Sequence, residues 1–165
     1  MALVGTLTTN KLVAKLTGSE GLPGAVADLA AGQSLSLPSI GAGQIIAQNV
    51  APDISEKSTI IQYPLVCVYC TTVSNLLREK FRTFSGDARM VIEMRVSQDR
   101  LDEIESNVQS YVDAVTNVLD QSRGDWGDGV FYAGGYEVAY SGVKHGGKNF
   151  LQIAKVTIVL EISTN

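Results

Sequence analysis

The most regular alternation in the chain runs over residues 88–96. Ala88, Met90, Ile92, Met94 and Val96 are apolar, and Arg89, Val91, Glu93 and Arg95 occupy the positions between them. A period of two sends successive side chains to opposite faces, so this segment predicts a strand with one core face and one polar face. The period then changes. Leu101, Ile104, Val108, Tyr111, Val112, Val115, Val118 and Leu119 recur at three- and four-residue spacing, which predicts one long helix over 98–121 with Ser97 as its N-cap. Asp99, Asp102, Glu103 and Glu105 then fall in its first two turns, where the helix dipole favours carboxylates. Alternation returns at 150–162, where Ala154, Val156, Ile158, Leu160 and Ile162 oppose Lys155, Thr157 and Glu161. With residues 136–141 this strand predicts a long hairpin around the loop 142–149. A strand of about thirteen residues is long for so small a domain, so part of the hairpin is expected to project.

The remaining segments are less regular. Short helices are predicted over 8–16 and 22–31, separated by Gly18, Gly21, Pro23 and Gly24. Residues 32–59 are rich in Gly, Ser and Pro, with a short strand predicted at 44–48 and a polar loop at 52–59. So long an irregular stretch implies a task, such as wrapping a neighbour or ordering on assembly. Leu65 to Thr72 is apolar at both parities, which predicts a strand covered on both faces. Ser74 then offers an N-cap to a helix through Leu76, Leu77, Lys80 and Phe81 that ends near Ser85-Gly86. The glycine-rich run 123–129 reads as a tight turn around a packed Trp126. Together these elements predict one α+β domain over residues 1–165. Residues 1–62 supply short N-terminal helices and an irregular segment. Residues 63–165 supply a mixed or antiparallel sheet packed by one long helix, with a long C-terminal β-hairpin.

Composition narrows the function classes. Charged residues make up only 18% of the 165, and the mean hydropathy is slightly positive at +0.12, so some apolar surface is expected to serve partners. A net charge of −4 and the lack of any Lys or Arg run argue against tight nucleic-acid binding. No apolar run is long enough to cross a membrane, and the first sixteen residues lack the ordered regions of a signal peptide. A soluble, cytoplasmic chain is expected.

Candidate chemistry is sparse. Cys67 and Cys70 share a predicted strand, where residues three apart face opposite ways. A zinc site would need two more ligands, and His145 is the only histidine. Two structural thiols are therefore expected, with no metal and no cofactor. Gly134-Gly135 and Gly146-Gly147 precede strands rather than helices, which makes them turn glycines and not a phosphate loop. His145 is the residue type best suited to acid–base work, but it lies between Lys144 and Gly146 in a hairpin loop with no acid beside it, so it is expected to be exposed or at an interface. The acidic cluster 99–105 is accounted for by the helix dipole, and Asp125 and Asp128 lack the alternating oxygens and closing Glu of a calcium loop. The charges at Arg89, Glu93 and Arg95 predict either a solvated face or an inter-subunit surface.

Several phrases carry a family resemblance. Tyr63-Pro64-Leu65-Val66-Cys67-Val68-Tyr69, Leu77-Arg78-Glu79-Lys80-Phe81-Arg82-Thr83-Phe84-Ser85-Gly86 and Val96-Ser97-Gln98-Asp99-Arg100-Leu101 resemble the tail-terminator (tail-completion) proteins of long-tailed bacteriophages. So do Gly134-Gly135-Tyr136-Glu137-Val138 and Val143-Lys144-His145-Gly146-Gly147. The resemblance covers roughly residues 63 to 163.

It implies a virion protein of the tail and neck: a homo-oligomeric ring, usually a hexamer, that caps the tail tube, stops its polymerisation and offers a surface for head attachment. Its partners would be further copies of itself, the tail-tube protein and head-tail connector or neck proteins, with DNA only in passage and no enzymatic activity. Six copies at −4 each would carry −24, which suits a channel that lets DNA slide. The candidate oligomer and tube contacts are Arg89, Glu93, Arg95, Val143, Lys144, His145, Lys148 and Asn149. A head-tail connector or a tail-tube subunit is the nearest alternative, and a small hydrolase using His145 is a remote one.

Overall fold

In a computed structural model, which describes residues 3–54, 61–146 and 148–165, the chain is an α+β domain with helices on a curled mixed sheet. Helix α1 (Val4–Thr17) sinks Val4, Thr8, Leu12 and Leu16, a strict four-residue stripe, into the core. Thr8 is tolerated there because its hydroxyl donates to the Val4 carbonyl at 2.9 Å. Helix α2 (Leu22–Gln33) starts with Pro at its first turn and buries Leu22 and Val26. The long helix, α3 (Ile104–Gln121), buries Ile104, Val108, Tyr111, Val112, Val115, Val118 and Leu119, the predicted stripe without Leu101.

The strands are β1 (Ile45–Ile46), β2 (Leu65–Asn75), β3 (Phe84–Gln98), β4 (Gly124–Gly127), β5 (Val130–Tyr132), β6 (Glu137–Tyr140), β7 (Lys144–Gly146) and β8 (Asn149–Thr164). Their order is β1-β2-β3-β8-β5-β4, and β6 and β7 also pair with β8. β3 and β8 are antiparallel from Phe84↔Thr164 to Gln98↔Phe150. On its other edge β8 takes β5, β6 and β7 in turn. The C-terminal strand is thus central. The expected hairpin exists, but nearly all of its long strand is paired with β3.

Two segments depart from the sequence reading. The helix expected after Ser74 is absent: β2 passes a bulge at Thr71 and stays paired with β3 to Asn75↔Gly86. Phe84, Gly86 and Ala88 have the same parity as Met90 and Ile92, so the buried face of β3 simply extends backward. At Gly86 an added Cβ would lie 1.9 Å from the Ser74 carbonyl oxygen, so this glycine marks a close strand crossing, not a helix stop.

The second departure concerns the start of α3. Ser97 and Gln98 are still in β3, because β8 offers them partners at Leu151 and Phe150. The helix begins at Ile104, Leu101 is exposed, and Asp99, Asp102 and Glu103 lie in the preceding turn. The Gln98 amide closes that turn by donating to the carbonyls of Arg100 and Asp102.

The glycine-rich run after α3 is the β4–β5 hairpin, with Gly124, Gly127 and Gly129 all at positive φ. Trp126 is buried, donates to the Ser122 carbonyl at 2.6 Å and lies against Tyr132. Gly134 and Gly135 turn the chain at positive φ, as expected of turn glycines.

Candidate functional site

The face of the sheet opposite the helices is divided. At one end, Leu65, Cys67, Tyr69 and Val91 form a second apolar cluster, with Ile46, Ile61 and Tyr63 packed on it. The segment that leaves β1 therefore folds back over its own sheet. Other polar bonds fix the irregular stretch in place. Gln44 donates to the Pro64 carbonyl at 2.7 Å and its side-chain oxygen accepts from the Gly41 N–H at 2.8 Å. The Tyr111 hydroxyl donates to the Pro38 carbonyl at 2.7 Å. The polar loop expected at 52–59 lies mostly outside the described residues.

Under this strap sits a charged network. Glu93 is 5% exposed and Arg95 2%, which corrects the expectation that these residues share an outward polar face with Arg89. Glu93 Oε2 accepts from the Tyr69 hydroxyl at 2.7 Å, and its Oε1 accepts from Arg95 Nε at 2.9 Å. Arg95 Nη2 donates to the Val50 carbonyl on the strap. Lys155 Nζ stands 3.9 Å from Glu93 Oε2 at the solvent edge. Burial, followed by donation to Glu93, pushes the Tyr69 hydroxyl pKa upward. The apolar residues around the pair explain its burial: Leu65, Cys67, Tyr69 and Val91 need a cover, and the cover encloses the charges between them.

The thiols behave as the strand geometry predicts. Cys67 is buried in this second cluster, Cys70 packs against the main core, and both are free. Burial raises the Cys67 pKa, with Arg95 opposing and Glu93 adding to the shift. Burial also raises that of Cys70. Less thiolate at neutral pH means slow alkylation. Iodoacetamide at pH 7.5 is therefore expected to label the folded chain more slowly than the chain in denaturant, because burial both raises the thiol pKa and limits access. Mass spectrometry over time reads this directly, and equal rates would be inconsistent with buried thiols.

The other end of this face is open. Arg89, Val159, Glu161 and Phe131 are exposed there. Arg89 pairs with Val159 and His145 with Phe150. Nine residue steps along β8 separate those partners, about 30 Å of strand. The loop candidates and Arg89 are therefore not one patch. Lys144, His145, Lys148 and Asn149 are exposed at the far end of β8, and Val143 packs on the core. His145 meets Phe150 edge-on at 5.8 Å, and no described carboxylate bonds to it.

The most distinctive surface is one the sequence reading took for a helix. The β2–β3 turn, residues 76–83, exposes Leu76 at 51%, Leu77 at 66% and Phe81 at 100%. Its backbone is nevertheless held firmly. Arg78 makes a bidentate pair with Asp87 at 2.7 Å on each arm. Asn75 donates to the Thr83 carbonyl, and its side-chain oxygen accepts from the N–H groups of Leu77 and Ser85. Ser85 Oγ accepts from the Glu79 N–H at 3.0 Å, and Ser163 donates to Glu79 Oε2 at 2.9 Å. Arg82 donates to Asn165 at 2.8 Å. Leu77 and Phe81 both sit at positive φ. The parity of Phe84 and Gly86 with the core face of β3 was the available signal that a strand, and so a hairpin, lies here.

Among the described residues no three His, Cys, Asp or Glu side chains are grouped to hold a metal, and no helix is long and apolar enough to cross a membrane. No protein-family model matches the chain, and no curated protein matches it.

Proposed function

We propose that this chain is a structural virion protein of the tail-terminator type, forming a homo-oligomeric ring that caps the tail tube, stops its polymerisation and provides the head-attachment interface. The observation that carries this reading is the β2–β3 tip, where Leu76, Leu77 and Phe81 stand in solvent on a backbone fixed by side-chain bonds. Apolar side chains held rigid in water are stabilised by covering them with another protein chain. The tip lies within the phrases that resemble the terminator family. The low charged content and net charge of −4 agree with repeated interfaces around an acidic channel.

Negative-stain electron microscopy and light scattering of the purified chain test this reading. Discrete closed rings are expected, and adding them to polymerising tail-tube protein is expected to arrest tube growth. Open-ended cylinders would identify a tube subunit instead, and rings that leave tube growth unchanged would identify a connector.

A further inference from the structure

The tip and a groove elsewhere on the same chain complement each other. The groove is about 470 Å³ and is lined by Ser19, Glu20, Gly21, Gly24, Ala25, Asp28, Leu29, Asn117 and Gln121. Its apolar lining is Ala25 and Leu29, beside Gly24, where an added Cβ would meet only the Ser19 carbonyl oxygen, at 3.8 Å. Glu20 and Asp28 are its only charges, both are exposed, and neither is in an ion pair among the described residues. The tip has the opposite sign: Arg78 is paired with Asp87 and Arg82 with Glu79, which leaves Lys80 for a net charge of +1 against the groove's −2. Lys80 is exposed beside Phe81 and is likewise in no ion pair among the described residues.

Position matters as much as charge. The tip extends from β2 and β3 of the sheet, whereas the groove lies in the helix layer, between the start of α2 and the end of α3. A knob and a socket on different patches of one chain make a head-to-tail contact, which closes into a ring when the rotation per subunit permits. We infer that Phe81 of one copy enters the Glu20–Asp28 groove of the next, with Lys80 facing the two carboxylates, and that this contact builds the oligomer. The inference deepens the ring reading and rests on it.

Mixing two half-dead variants tests it on the full chain. Phe81→Asp removes the knob but leaves the socket, and Glu20→Lys/Asp28→Lys reverses the socket but leaves the knob. Each alone is expected to weaken self-association by at least about thirtyfold, the effect of losing a central aromatic anchor, so both sediment as monomers. Mixed, they are expected to form a one-to-one dimer, because one intact knob meets one intact socket. The milder pair Phe81→Ala and Glu20→Gln/Asp28→Asn repeats the mixture without new charges, and circular dichroism checks the fold of each. Variants that keep the wild-type mass overturn the contact while leaving the ring standing. A mixture of folded variants that stays monomeric also overturns it. A wild type that is monomeric at every concentration overturns the ring reading itself.

Discussion

Glu93→Ala is expected to lower folding stability by about 3–5 kcal/mol, the usual result of leaving one member of a buried ion pair without the other. The geometry makes the effect large. Glu93 receives both the Tyr69 hydroxyl and Arg95 Nε, so its loss strands a phenol and a guanidinium beneath the strap, where water has little access. For a domain whose whole stability is about 5–15 kcal/mol, that is a large fraction. Equilibrium urea unfolding, followed by Trp126 fluorescence, measures it. The double variant Glu93→Leu/Arg95→Met is expected to be more stable than Glu93→Ala, because two apolar groups no longer need desolvated partners. Amide exchange should separate a local from a global effect: Arg95 holds the strap through the Val50 carbonyl, so Arg95→Met should speed exchange over residues 46–50 before it affects α3. A loss below 1 kcal/mol for Glu93→Ala would mean the pair is effectively solvated.

That network also marks the limit of what the sequence made legible. Alternation located β3 and β8 and the three-to-four spacing located α3, because a half-buried strand and an amphipathic helix each sort residues by face. Apolar residues at both parities predict that Leu65 to Thr72 is covered on both faces; Leu65 to Tyr69 are, whereas Thr71 and Thr72 at the bulge are exposed. What covers them was not legible, since the strap comes from an irregular segment with no period of its own. Charge at Arg89, Glu93 and Arg95 is the same in the sequence whether the face is wet or dry. Only the distant strap separates exposed Arg89 from buried Arg95. The β2–β3 tip was missed for a local reason. Leu76 to Arg82 consists largely of good helix formers, and pairing of the flanking strands overrode that preference.

Gly86→Ala is expected to be severely damaging for so small a substitution, with a loss of roughly 3 kcal/mol or more, at the upper end of ordinary single replacements. The added methyl carbon would lie 1.9 Å from the Ser74 carbonyl oxygen and 2.9 Å from the Leu76 nitrogen. Both are backbone atoms, so no side chain can turn aside to make room, and β2 and β3 must separate at the base of the tip. The bonds from Leu76 N–H to the Ser85 carbonyl and from Ser85 N–H to Asn75 lie within that step. Separation would therefore release the frame that presents Phe81. Two readouts should move together: the urea midpoint falls, and under conditions where the variant is still folded, its mass by light scattering falls toward the monomer. Arg78→Ala offers the contrast, since it removes an exposed pair with Asp87 worth at most about 1 kcal/mol and loosens the same tip without the backbone clash. If Arg78→Ala weakens association while its stability stays near wild type, the rigidity of the tip matters for assembly independently of the stability of the fold. If Gly86→Ala matches wild type in both measurements, the strands do not approach at Ser74 as the register requires.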